Sequence, residues 1–247
     1  MNNYLLRLSF LGTNYHGWQW QDNAISVQKV LSEAIGKAFG EYNELHGCSR
    51  TDAGVHARDY AVSVCLDTDI AADKFPEILN RLLPNDIAVS SAKRVPAEFH
   101  ARYDCVGKEY AYRILNAQNR DPFEFATVCH IRQSLDVAAM SRAAECFAGK
   151  RDFSAFAGNK CRLDDRVRTV FKVTVEKEGD VITFTVRGDG FLYNMVRIMA
   201  GTLIDVGRGK LAVADVADIL ESGCRERAGA TAPARGLCLW EVEYGGV

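Results

Sequence analysis

The stretch CSRTDAGVHA, Cys48 to Ala57, sets an arginine and an aspartate two positions apart, directly ahead of a glycine. Gly54 and the polar residues around it make a poor helix or strand interior, and the apolar face such an element would bury is missing. Gly54 permits backbone conformations that other residues resist. A guanidinium beside a carboxylate favours the carboxylate's charged form. An ionised Asp52 suits a nucleophile, or a stabiliser of positive charge at a sugar carbon, and suits a general acid poorly. The purely structural alternative is a surface turn in which Asp52 caps a backbone N–H and Arg50 pairs locally.

Two further stretches carry polar residues in apolar settings. In FHARYDCVGKEYAYRI, Tyr110 falls early on a strand pattern between Lys108 and Arg113; a core aromatic is the default for such a tyrosine. In DGFLYNMVRIMAGTL, Arg197 sits between Val196 and Ile198 in a strongly apolar helical stripe. A buried arginine requires a partner, so Arg197 either snorkels to the surface or meets a carboxylate, and Asp52 is a candidate.

The elements that must position these residues follow from periodicity. Tyr4, Leu6, Leu8 and Phe10 alternate as a strand. Ser26 is placed to cap a helix whose stripe is Val27, Val30, Leu31, Ala34, Ile35 and Ala38, with Gly40 ending it. Strands are predicted near Leu45–Cys48 and over Tyr60–Leu66, then a helix from Phe75 to Leu82 halted by Pro84, then an extended segment Ile87–Val95. This β-α-β-β-α-β order is a split βαβ arrangement. The second half repeats it. KEYAYRIL is a strand, Asp136–Phe147 a helix closed by Gly149, and RTVFKVTVEKEGDVITFTVRG a hairpin turning near Gly179. A helix over Phe191–Val206, a short helix over Val213–Leu220 and the strand GLCLWEVEY complete it. The expectation is an α+β protein of two similar ferredoxin-like halves, residues 1–104 and 105–247, forming an extended, mostly antiparallel sheet with a central cleft.

The 247 residues are 48% hydrophobic and 25% charged, which gives a folded chain of one large or two smaller domains. Nothing suggests a membrane span, and the N-terminus does not read as a signal peptide. None of the eight cysteines forms a C-x-x-C pair or a Cys/His zinc pattern, so reduced, mostly buried thiols in a cytoplasmic protein are expected. GRGKLA at 207–212 mimics a dinucleotide fingerprint but follows a helix instead of a strand, and reads as a helix-ending turn. The net charge of −2 carries no general nucleic-acid signal. Positive charge is instead concentrated over 150–172, where Lys150, Arg151, Lys160, Arg162, Arg166, Arg168 and Lys172 outnumber Asp152, Asp164 and Asp165. Arg58, Arg208 and Lys210 add to it if they share a groove.

Eight blocks together resemble the tRNA pseudouridine synthase A (TruA) family. They are GTNYHGWQWQ (12–21), SVQKVL (26–31), GCSRTDAGVHA (47–57), FHARY with GKEYAYRI (99–114), DFSAFA (152–157), VRTV (167–170), GFLYNMVRIMAGTLIDVGRGK (190–210) and AGATAPARGLCLWEVEY (228–244). They run in family order over nearly the whole chain, with departures at Leu11 and Cys48. The resemblance implies that Asp52 is the catalytic residue and that Arg50 helps flip the target nucleotide. It implies that Tyr110 stacks on the uracil, that Arg197 pairs with the aspartate, and that Leu237 lines the uracil pocket. Arg58, Arg162, Arg166, Arg168 and Arg208 are candidate tRNA contacts. It further implies a homodimer acting on uridines 38 to 40 of the tRNA anticodon stem-loop, with no cofactor; the five scattered histidines argue separately against a metal site.

The residue types fit that chemistry. A glycosidase usually needs two carboxylates. An isomerase that keeps the detached base in place needs one, acting either on C1′ or on a sugar proton. The target must also leave its stack, which calls for an aromatic surface and a dry pocket. Two other classes compete: a tRNA-binding or folding protein without turnover, and a nucleoside or glycoside hydrolase.

Overall fold

The computed structural model describes residues 1–246. The chain is a mixed α+β protein whose strands pair mostly antiparallel. It divides into two compact units, Met1–Val106 with Leu239–Val247, and Gly107–Cys238.

In the first unit, β1 (Asn2–Phe10) is flanked by β3 (His56–Leu66) and β4 (Ile87–Arg94), antiparallel to both. β2 (Leu45–Gly47) pairs with the β3 stretch Val62–Val64, and β10 (Leu237–Tyr244) lies on β3's other side. The alternation read in β1 faces Leu6 against Val62 and Leu8 against Tyr60, all four fully buried or nearly so. α1 (Val27–Phe39) begins where Ser26 Oγ accepts the Lys29 N–H at 3.3 Å and ends at Gly40, whose φ of +80° suits only glycine. Its buried stripe is Val27, Leu31, Ala34 and Ile35. α2 (Phe75–Asn80) is a shorter element than its pattern suggests, because Leu82 and Leu83 N–H both return to Leu79 O in a closing turn.

β10 is fixed to the first unit by Arg7, whose Nη1 donates to Val242 O at 2.8 Å and to Asp59 Oδ2 at 2.6 Å. The last strand of the sequence therefore completes the unit that the first strand begins.

In the second unit the order is β5 (Cys105–Leu115), β9 (Val181–Gly188), β8 (Val167–Glu178) and β7 (Gly149–Asp152), all antiparallel. β6 (Cys129–His130) pairs in parallel with the end of β5. β6 and β7 are too short to show a period in the sequence. α3 (Val137–Ala144) is capped by Asp136, and it tightens into a 3-10 turn over Glu145–Phe147 before reaching Gly149, which opens β7. α4 (Met195–Gly207) starts four residues later than its apolar run, because Asn194 adopts a left-handed φ of +61°. GRGKLA closes α4: Arg208 and Gly209 N–H return to Ile204 O and Val206 O, with Gly209 at φ +70°. α5 (Asp215–Ser222) follows. No helix among the described residues is long and apolar enough to cross a membrane.

Candidate active site

The 48–55 loop joins β2 to β3 and is held from beneath by an equally irregular strap, residues 11–18. Trp18 N–H donates to Thr51 O at 3.2 Å, and Gly54 N–H donates to Tyr15 O at 3.2 Å. Val55 N–H closes a turn onto Asp52 O at 3.2 Å, with Gly54 at φ +77°. Two glycines of the strap allow this approach. A Cβ on Gly17 would lie 2.4 Å from Thr51 O, and one on Gly12 would lie 1.9 Å from Val55 O. Gly12 N–H also donates to Nδ1 of buried His56 at 2.9 Å, which leaves that ring's hydrogen on Nε2. The strap is tied down in turn by Asp86, which accepts from Tyr15 OH at 2.6 Å, from Asn14 Nδ2 and from Leu11 N–H. Burial, then the Asp86 carboxylate, pushes the Tyr15 phenol far above its ordinary range, so it remains a donor.

The loop's other edge rests on aromatic packing. Trp18 stacks on Tyr60 at 4.3 Å, and Tyr60 OH donates to Ser49 O. Gly47 has no room for a Cβ, which would sit 2.5 Å from the Trp18 indole. Cys48 is fully buried, its Sγ accepting from Ala61 N–H at 3.4 Å. On this frame Arg50 is exposed and Asp52 half-buried. The fold thus presents both side chains from a rigid backbone, which a surface turn alone does not require. Arg58, early on β3, is exposed with its guanidinium 5.3 Å over the Trp240 ring.

In the second unit, Tyr110 on β5 is 7% exposed, its ring edge-on to Phe191 at 5.3 Å. Tyr112 lies on the same face of β5, two residues on, and donates to Pro233 O at 3.0 Å. Burial, then Cys129, drives the Tyr112 phenol far up, opposed by the Arg197 and Arg235 charges.

Arg197 does not run out to the surface. It is half-buried, with Nε donating to Ala232 O at 2.8 Å and Nη1 to Asn194 Oδ1 at 3.0 Å. The segment 228–236 is threaded along α4 to make this possible. A Cβ on Gly201 would lie 1.8 Å from Ala230 O, and one on Gly229 would lie 2.6 Å from Thr202 N. Thr202 Oγ1 accepts the Gly229 N–H at 2.9 Å, and Ala232 N–H donates to Arg197 O at 3.1 Å. Gly236 then passes so near the Tyr112 ring that its Cβ would be 2.7 Å away, which delivers Leu237, 6% exposed, at the start of β10.

The basic candidates lie in varied settings. Arg162 is exposed, and Arg166 and Arg168 are half-buried. Arg168 is opposite Arg151 in the β7–β8 ladder, and all four β7 residues are exposed, so this sheet edge displays positive charge. Arg168 Nη1 is fixed by Val167 O at 2.6 Å. Arg208 meets Asp205 Oδ1 at 3.8 Å, and Lys210 meets the same carboxylate at 3.6 Å.

Three features escape a reading of the sequence: the strap over 11–18, the thread over 228–236, and a ring stack of His46, His100 and Tyr103 beside Arg50. Gly12, Gly17, Gly201 and Gly229 are the signal for the first two, since each sits where a side chain would strike backbone.

A family model described as tRNA pseudouridine synthase matches residues 8–104 and 143–245. A protein named tRNA pseudouridine synthase A from Acetivibrio thermocellus is 45% identical over 244 residues, covering 99% of this chain and 100% of the relative. Proteins of the same name from Ruminiclostridium cellulolyticum and Brevibacillus brevis are each 44% identical. The first covers 99% of this chain and 100% of its own length, the second 96% and 97%.

Proposed function

The chain belongs to the tRNA pseudouridine synthase family, and from that premise we propose that it isomerises uridine to pseudouridine in the anticodon stem-loop of tRNA. The positions are 38 to 40, and the enzyme acts as a cytoplasmic homodimer without a cofactor. The observation that carries this reading is the 48–55 loop, where Asp52 stands half-buried on a backbone fixed by Tyr15, Gly17 and Trp18.

The reaction breaks the C1′–N1 bond, turns the uracil and joins C5 to C1′. N1 gains a proton, C5 loses one, and no water is consumed. Asp52 supplies the carboxylate that acts at the sugar while the base is detached. Arg50, exposed on the same loop, acts in extruding the target nucleotide. Tyr110 receives the uracil face, its ring braced edge-on by Phe191. Arg197, its fork oriented by Asn194 and Ala232, supplies a fixed positive charge to the chemistry, and Leu237 excludes water from the base. Arg162, Arg166 and Arg168, with Arg58 and Arg208, hold tRNA phosphates.

The test is incubation with tRNA tritiated at uracil C5. Tritium release with an intact chain and no free uracil supports the proposal. Binding without release makes the protein a tRNA-binding factor, and free uracil makes it a hydrolase.

A further inference from the structure

Beside the 48–55 loop is an open cavity of about 270 Å³, lined by Arg50, His46, His100, Arg102 and Tyr103 among others. Three of these side chains form a continuous stack. The His46 and His100 rings lie 4.3 Å apart at 29°, and the His100 and Tyr103 rings 4.3 Å apart with a tilt of 37°. The stack ends in solvent: Tyr103 is 76% exposed. The Arg102 guanidinium lies 5.9 Å from its ring centre.

Exposed aromatics are ordinarily mobile, but this one is mounted on a braced turn. Phe99 and Ala101 are buried; Phe99 O accepts from Asn3 Nδ2 at 2.8 Å. Ala101 N–H donates to Ser63 Oγ at 3.1 Å, and Ala101 O accepts from Tyr244 OH at 2.6 Å. Between and beyond these anchors, His100, Arg102 and Tyr103 project outward. Arg102 N–H donates to His100 Nδ1 at 3.1 Å, and both Tyr103 and Asp104 N–H return to His100 O. Burial, then the neighbouring His46, holds the His100 imidazole pKa below its ordinary value, which favours the neutral ring between His46 and Tyr103. Packing does not explain Tyr103, which buries little of its own surface. A rigid aromatic face ending in solvent, with Arg102 and Arg50 around it, has the chemistry that receives a nucleobase and its phosphate.

We propose that the His46–His100–Tyr103 stack is a second base-binding subsite, which takes an unstacked nucleobase of the tRNA strand flanking the target uridine while Arg102 holds an adjoining phosphate. This rests on the tRNA reading above and adds to it a site distinct from the one assigned to the reacting uracil. The Glu44 carboxylate, also at the cavity, is 4.0 Å from His46 Nδ1.

The experiment measures tRNA affinity by filter binding and turnover by tritium release, on the full chain. Tyr103→Ala should raise Kd on the order of tenfold, the scale of one base–aromatic stack, with the salt dependence of binding unchanged. Tyr103→Phe should bind within about twofold of wild type. Arg102→Gln should lower the slope of log K against log salt by about 0.7–0.9, the share of one neutralised phosphate. Equal binding by Tyr103→Ala and wild type overturns the subsite. So does a Tyr103→Phe loss matching that of Tyr103→Ala, which would assign the effect to the hydroxyl. An unchanged slope in Arg102→Gln overturns the assignment of a phosphate to Arg102. Absence of tritium release by wild type would refute the enzymatic reading separately, since the binding comparison does not depend on turnover.

Discussion

Gly17 approaches Thr51 so closely that a Cβ on the glycine would lie 2.4 Å from the threonine's carbonyl oxygen. Thr51 immediately precedes Asp52, so the strap sets the height at which the carboxylate stands. Gly17 also holds φ at +84°, a conformation costly for any other residue. Gly17→Ala should therefore cost more than about 1 kcal/mol of stability and lower turnover well beyond what the reduced stability explains. Thermal melts alongside tritium-release kinetics check both halves; a variant with wild-type turnover would show that the loop does not depend on the strap.

Asp52→Asn is nearly isosteric and falls on a half-buried loop position. It should reduce tritium release on the order of a thousandfold or more while shifting the melting temperature by no more than about 2 °C. Release at a clean tenth of the wild-type rate would remove Asp52 from the chemistry.

Arg197 and Asn194 give a graded test of orientation. Arg197→Lys keeps the charge but loses the planar fork, and should lower kcat. Arg197→Met should lower it further. Asn194→Gly keeps the left-handed backbone that Asn194 adopts and deletes the 3.0 Å bond to Arg197, so it should reduce kcat with little change in KM. A double-mutant cycle of Asp52→Asn with Arg197→Met checks the functional pairing: additive losses would mean the two residues act independently.

Replacing Arg162, Arg166 and Arg168 together with glutamine should weaken tRNA binding and flatten its salt dependence, by about 0.7–0.9 in slope for each phosphate no longer neutralised. A slope equal to that of wild type would make this edge of the second unit merely a solvated face.

His100 also sets a pH dependence of stability. The His100 pKa is held below its ordinary 6.5, first by burial and then by His46, with Arg102 acting in the same direction and Asp104 against it. The unfolded chain then binds more protons than the folded one just below 6.5, so stability falls as pH drops through that window and is retained above it. His100→Phe should show a smaller decline than wild type between pH 7.5 and pH 5.5 in urea titrations. Equal declines would assign the pH dependence to other groups.

The sequence by itself determined the elements whose reasons are local. The alternation of β1, the stripe of α1 with Ser26 and Gly40 at its ends, and the hairpin of β8 and β9 are all written in periods of two or 3.6 residues and in capping chemistry. The RTDAGVHA and MVR blocks likewise carried the family and marked Asp52 and Arg197 as candidates. Tertiary structure alone decided the rest. The late start of α4 depends on the left-handed Asn194, which its apolar run conceals. The return of β10 to the first unit depends on Arg7 meeting Val242 across 235 positions of chain. The ring stack joins His46 to His100 and Tyr103. Periodicity reports only what neighbouring residues do to one another. Pairings closed over long loops, and the glycines that admit one backbone against another, become visible when the chain is folded.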